Sequence, residues 1–431
     1  MRNMLRCRRG SAAFATVAAL VPLIGVVALG GEAGSWYVTK QHAQNAADAA
    51  AYSGALTLAC SISGAIPGSN NCDTAHDYVY RGKQFAAQNR FCNAGDSSYP
   101  GSNCATSLPT NTTQTVQIDQ PAADRVRAIV SQQQPKYLAA VLGGLPTVNI
   151  RAQAIAQVQN PKDLCMLGLG PSSNALTIGG SSTITGNGCG LMSNNTVKYN
   201  SDPNFSGSGW VVNAVNGCVA SAGHCDVSAP HNYNMLPATN PLMGLDTASF
   251  NTMTGNAKTC TSKTCLLTPN STGPAYGKLT VTTGDTVTFQ SGGTYFFYNA
   301  AININGGTVT GTGVTLVLLG NSSLSISGGT VNLSAPAINT FSSALNGVLI
   351  DDQAPNKSNN KVIVNGGGTV KLDGAMYFPK VDVSWGGTAQ TDTNCSMVVA
   401  GTLTITGNAY LSTQGCAQGT IAKTQVVALV Q

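Results

Sequence analysis

The apolar and polar positions divide the chain into three stretches of different period. From Ser11 to Gly31 no charged residue occurs, a run of about the 20 residues that a helix needs to cross a bilayer. From Gln41 to Gly54 (QHAQNAADAAAYSG) alanine dominates and proline is absent, which favours helix. Ala43, Ala47, Ala50 and Gly54 fall at i, i+4, i+7 and i+11 and so share one face. Small side chains on such a face let another helix approach backbone to backbone.

The next stretch mixes periods. Ala75 to Asn89 carries Tyr78, Phe85 and alanines at helical spacing and predicts a short helix. Thr115 to Asp119 (TVQID) alternates as a strand does, whereas Ala122 to Gln132 sets Val126, Ile129 and Val130 on one helical face and predicts a helix. After a helical turn at PKYLAAVLGG, Thr147 to Val158 alternates strictly through Val148, Ile150, Ala152, Ala154, Ala156 and Val158, predicting a half-buried strand. These elements make a small α/β module.

From Cys165 onward short β-prone runs are punctuated by GG, GN and NG. Gly307, Gly329, Gly367, Gly387 and Gly407 recur at about 20 to 22 residues, with one longer step holding a polar insertion at Asp352 to Asn360, and such a period is the mark of a solenoid. We read a right-handed parallel β-helix of seven or so rungs, with Ala175 to Gly190 as its first coil and Leu191 to Pro274 as a disulfide-stapled excursion. The alternative is an antiparallel β-sandwich, whose strands would pair through hairpins at NG and GG. The organisation expected is a cytoplasmic basic segment (1–10), a transmembrane helix (11–31), an Ala-rich helix (32–60), the α/β module (61–160) and the solenoid (161–431).

Charge sharpens the topology. The net charge of +5 belongs mostly to Arg2, Arg6, Arg8 and Arg9; beyond them 18 basic residues face 17 acidic ones, so no nucleic-acid-binding surface is implied. Arginines before an apolar span are retained in the cytoplasm, which predicts a single-pass protein with the rest of the chain outside; Trp36 and Tyr37 then fit an interfacial anchor. An ordinary secretory signal cut near Ala28 to Gly30 is the competing reading. Of 13 cysteines, only Cys7 precedes the span. The other twelve read as disulfide candidates in an oxidising space, and pairing in sequence order would join Cys60 to Cys72, Cys92 to Cys104, Cys165 to Cys189, Cys218 to Cys225, Cys260 to Cys265 and Cys395 to Cys416.

The pattern RRGSAAFA before the span and QNAADAAA after it resembles the N-terminal module of TadE/TadG-like proteins of the bacterial Tad (Flp) tight-adherence pilus system. The turn at Pro135 and the strand IRAQAIA extend the resemblance to about Gln159. It implies an inner-membrane protein with its C-terminal part in the periplasm or exported, whose partners are pseudopilins and pilus assembly components. Pilin-like members carry a processing glycine followed five residues on by a glutamate. Here Gly10 stands at the first position as the possible processing site, but Ala15 stands at the second. That departure implies an anchored accessory subunit rather than one packed in the pilus shaft. Ala43, Ala47, Ala50 and Gly54 would pack on pseudopilin helices.

Candidate chemistry is sparse. Asp351 and Asp352 are adjacent, so a strand sends them to opposite faces, while glycoside hydrolysis needs two carboxylates in one cleft at about 5 to 10 Å; the expected reading is a solvated turn. Lys371 and Asp373 share a face without implying a site. Cys218, His224, Cys225 and His231 could supply zinc ligands, but their spacing fits no regular finger. His42 and His76 are isolated, Trp36, Trp210 and Trp385 are scattered, and no nucleophile elbow, phosphate loop or H-E-x-x-H occurs. We expect a structural or interaction protein, not an enzyme, without cofactor or metal; the alternative is an anchored β-helix that binds or cleaves polysaccharide, with surface glycans as partners.

Overall fold

A computed structural model describes residues 8–430 except 63–74, 97, 138, 143–144, 171–173, 221–224, 226, 249, 251–259, 261, 272, 354–361 and 388–393. The chain forms two compact units, one of Met1–Ala59, Thr74–Gln159 and Val427–Gln431, the other of Cys60–Asp73 and Asn160–Val426.

In the first unit, helix α1 (Arg8–Ile62) runs 55 residues with Pro22 inside it. Helix α2 (Tyr78–Gln88) is capped by Asp77, whose carboxylate accepts the Tyr80 N–H at 2.8 Å. Three antiparallel strands, β1 (Thr113–Ala122), β2 (Arg125–Pro135) and β3 (Thr147–Gln159), form a meander joined by Val426–Leu429 at the β3 edge. Val126, Ala128 and Val130 of β2 and Ala152, Ala154 and Ala156 of β3 are buried. The helix expected at Ala122 to Gln132 is therefore strand β2. Val126 and Val130 satisfy a helical period, but with Ala128 between them they also satisfy the period of two, and the sheet decides.

The second unit is a parallel β-solenoid of about nine turns, whose parallel ladders exclude the hairpin-paired sandwich. Each complete coil has three sides. On the first, Tyr295, Leu316, Ile350, Met376, Val398, Met166, Leu191 and Val212 stand in successive register and point into the core. On the second, Ile304, Ile326, Val364, Trp385, Ile405, Ile178 and Tyr199 do the same. Val287, Val309, Val331 and Val370 line the third. At one corner Gly306, Gly329 and Gly368 stack on one another, while Gly387 stands beside Gly366. Gly329 has φ +88°, and a Cβ there would lie 2.5 Å from the Gly306 carbonyl oxygen, so no other residue fits without a shift of the coil.

Coil order departs from chain order. The coil of Asp163–Gly168 and Leu176–Gly186 lies mid-stack, with Gly190–Ser193 and Val197–Tyr199 on one side of it and Ser396–Leu411 on the other. Winding first carries the chain outward through Val211–Ala214, Cys218–Ala220 and His231–Asn232. It then returns to the far end at Thr264–Leu267 and winds back to the middle. Leu191 to Ala220 and His231–Asn232 therefore belong to the coils rather than to an excursion. Their strands are two to four residues long and lack the paired-glycine signal.

The returning segment crosses the outer surface of the first side. Phe296, Val317, Tyr377, Val399, Leu167 and Met192 point outward there and pack with Ala238, Leu242, Leu245 and Phe250 in a second core. Among the described residues, five cysteine pairs stand at disulfide distance: Cys92–Cys104, Cys165–Cys189, Cys218–Cys225, Cys260–Cys265 and Cys395–Cys416, with Cα separations of 6.0, 5.7, 6.0, 6.1 and 4.8 Å. Cys60 is also disulfide-bonded, while its expected partner Cys72 lies outside the described residues, as does Cys7.

Candidate functional site

Helix α1 changes surroundings along its length. In its apolar part Val17, Leu23, Val26 and Val27 are 65%, 63%, 69% and 68% exposed, and the most apolar 18-residue window, of mean hydropathy 1.8, has none of its residues buried. Side chains that apolar, bare around the whole helix, suit lipid rather than water. Gly10 and Ala15 open this segment; the side chains before Ala15 lie outside the described positions.

From Ala43 onward one face of the helix is covered. Ala43, Ala46, Ala47, Ala50, Ala51, Ala55 and Ala59 are fully buried. The contacts around the Ala43, Ala47, Ala50 and Gly54 face come from this chain's own helix α2 and sheet. A Cβ on Gly54 would stand 3.0 Å from both the Tyr78 carbonyl oxygen and Val126 Cγ1. Lys40 Nζ donates to the Arg151 carbonyl, Gln44 Nε2 donates to the Gln153 carbonyl at 3.1 Å, and Ser53 Oγ donates to the Arg81 carbonyl at 3.3 Å. At Gly54 the absent side chain permits close approach, and the approaching surface there is internal. Docking of another subunit's helix on the same face would require displacing the sheet.

Glu32 joins these two parts. Its carboxylate accepts the backbone N–H groups of Tyr137 and Ala139, each at 2.8 Å, and so holds the connector between β2 and β3. Its partners lie 105 and 107 residues away, and no local pattern announces them.

The adjacent carboxylates behave otherwise than expected. Asp351 is fully buried and Asp352 is 3% exposed, so the reading as a solvated turn is corrected. Strand Val348–Asp352 is covered on both faces, and the residues do point oppositely: Asp351 lies in register between outward-facing Val317 and Tyr377, and Asp352 pairs with inward-facing Leu318. Around Asp351 the returning segment and the strand build a polar cluster. Gln353 Nε2 donates to Asp351 Oδ2 at 2.8 Å and to the Leu245 carbonyl at 2.9 Å. Tyr377 donates its hydroxyl to Asp246 Oδ1 at 2.9 Å and accepts from Asn240 Nδ2 at 3.0 Å. Asp351 Oδ1 is buried and has no partner among the described residues. Burial pushes the Asp351 carboxyl up to about 7, with Asp352 and Asp246 adding to the rise and the Gln353 hydrogen bond opposing it. Burial likewise pushes the Tyr377 hydroxyl up.

The remaining candidates are dispersed. Cys218 and Cys225 are bonded to each other, so neither offers a thiolate; His224 lies outside the described residues, and His231 stacks on Tyr233 at 4.7 Å between ring centroids. His76 stacks on Tyr80. Lys371 and Asp373 lie on strand Thr369–Gly387, where the Asp373 carboxylate accepts the Cys395 N–H at 2.8 Å. Trp210 and Trp385 are core residues.

No curated protein and no solved structure matches the chain. The family model Tad, described as "Putative Flp pilus-assembly TadE/G-like", matches residues 10–57, which contain the apolar helix and the alanine face and stop short of the first cysteine after the span. Over that segment, the part of the chain with both the lipid-suited surface and the close-packed alanines, the protein is similar to the TadE/G-like Flp pilus-assembly proteins.

Proposed function

We propose that this protein is a membrane-anchored, non-catalytic component of a Tad/Flp pilus assembly system, accessory or minor-pilin-like, whose solenoid works outside the cytoplasm as a structural or interaction domain in adherence or secretion. The observation that carries the reading is the TadE/G-like match over residues 10–57, which coincides with a helix apolar enough to cross a bilayer. The arginines before it orient the N-terminus inward, and the bonded cysteines suit an oxidising compartment. Since the alanine face is occupied by the chain's own sheet, partner contacts fall to the lipid-exposed part of α1 and to the solenoid.

Two measurements on producing cells test this. Protease added to intact spheroplasts should digest the C-terminal units, and the full chain should co-purify with pilus assembly components more strongly than a chain whose residues 11–31 are replaced by an unrelated apolar helix. A protected C-terminal part would overturn the topology. Equal recovery by the two chains would overturn a pilus-specific role for the span.

A further inference from the structure

The connector between β2 and β3 carries two exposed apolar side chains, Tyr137 and Leu145. From Tyr137 to Leu145 it reads YLAAVLGGL, without a charged residue; Tyr137 is 72% and Leu145 75% exposed. Tyr137 and Leu145 flank the same neck, and two large apolar side chains so placed are poorly served by water. The neck that carries it is firm, with Pro135 opposite Thr147 in the sheet and the Lys136 N–H donating to the Pro146 carbonyl at 2.9 Å.

Its position along α1 is fixed by Glu32, which holds the Tyr137 and Ala139 N–H groups. Glu32 directly follows the uncharged run that ends at Gly31. The connector therefore sits at the level where the helix leaves the hydrocarbon. Tyr37, 65% exposed, follows about 7.5 Å along the helix at 1.5 Å per residue, at the outer limit of the headgroup layer. Lys136 stands at the base of the connector, where its ammonium would meet lipid phosphate.

We propose that the β2–β3 connector is a second membrane contact, laying Tyr137 and Leu145 into the phospholipid headgroup and upper acyl region of the leaflet from which α1 emerges. This rests on the reading of α1 as a bilayer span. Continuity with that span selects lipid as the occupant. The hydroxyl of Tyr137 suits the wet side of the interface and its ring the dry side. With two contacts the sheet is held at a fixed height and cannot swing about α1.

The test uses the full chain with Trp36→Phe, reconstituted in phosphatidylcholine and phosphatidylglycerol vesicles whose acyl chains are brominated near the headgroup. Leu145→Trp reports the connector and, in a separate sample, Val26→Trp reports the span. Trp210 and Trp385 are 4% and 2% exposed and give a constant background. Expected is at least a twofold loss of the added emission for Leu145→Trp on bromination, with protection from aqueous iodide. If Val26→Trp is quenched by brominated lipid while Leu145→Trp is quenched only by iodide, the connector lies in water and the proposal falls while the span stands. If Leu145→Trp is shielded from both quenchers, another protein surface covers it, and the proposal falls equally. If Val26→Trp escapes the brominated lipid, the span reading itself fails.

Discussion

The two units bury their sheets differently. In the first, β3 presents one face to the helices, so Ile150, Ala152, Ala154, Ala156 and Val158 are buried while Asn149 and Arg151 are exposed. In the solenoid, strands of the first side are covered on both faces, inside by the ladders and outside by the returning segment, and every residue of Thr315–Leu319 and Val348–Asp352 is buried. A one-faced strand shows its burial as alternation, whereas a two-faced strand shows only a run of apolar residues. The outward positions of the second kind should therefore matter as much as inward ones.

The largest expected effect tests that equivalence. Phe296 points outward, is fully buried and meets Phe250 and Phe341 at 6.4 and 5.0 Å between ring centroids. Phe296→Ala should destabilise the solenoid transition by about 3 to 5 kcal/mol in urea unfolding, the range for large core truncations. Arg151→Ala, outward on β3, should stay within roughly 0.5 kcal/mol. A small loss for Phe296→Ala would mean that the returning segment covers the side without packing on it.

The second test concerns Asp351 in that outer layer, whose Oδ1 has no partner among the described residues. Asp351 has its native value raised to about 7 from an ordinary 3.8. Between those values the native state holds a proton that the unfolded chain has released, so the contribution is fully present below the lower value and is lost as pH rises through the higher one. At 1.36 kcal/mol per unit the loss amounts to at most about 4 kcal/mol. Unfolding followed from pH 4 to pH 8 should show stability falling across this window, and Asp351→Asn, which keeps a neutral side chain, should flatten the fall. An unchanged slope in the variant would assign the pH dependence to other groups.

How much of this was legible follows from the same contrast. The apolar N-terminal helix could be read from its uncharged run and β3 from its single period, and the turn at Gly329 because glycine is required where φ is positive. Strand β2 was misread because Val126 and Val130 fit two periods at once. The coil order was not legible at all. That Leu403 and Ile405 lie beside Leu176 and Ile178 depends on where the returning segment leads, and each coil offers the same kind of ladder to any neighbour. The burial of Asp351 depends on Asp246 and Tyr377, which only the folded stack assembles, and the clasp of Glu32 on the connector is equally remote in sequence.

The smallest expected effect probes the first unit. Ala47 is fully buried on the face closed by the chain's own sheet, and the close approach there leaves no room for a longer side chain. Ala47→Leu must push helix and sheet apart or adopt an unfavourable rotamer, and overpacking of this kind destabilises by about 1 to 3 kcal/mol. Gly25, in the lipid-suited part of the same helix, has nothing within 4 Å of a Cβ placed on it. Gly25→Leu should leave the unfolding midpoint of the first unit unchanged, and neither substitution should move the solenoid transition. Loss of pilus components from a pull-down of Ala47→Leu would then accompany a measurable loosening of the first unit, because the helix is unseated from its sheet. If the pull-down fails while that unit's stability is unaltered, the alanine face has an external partner after all, and the sheet must leave it in the assembled state.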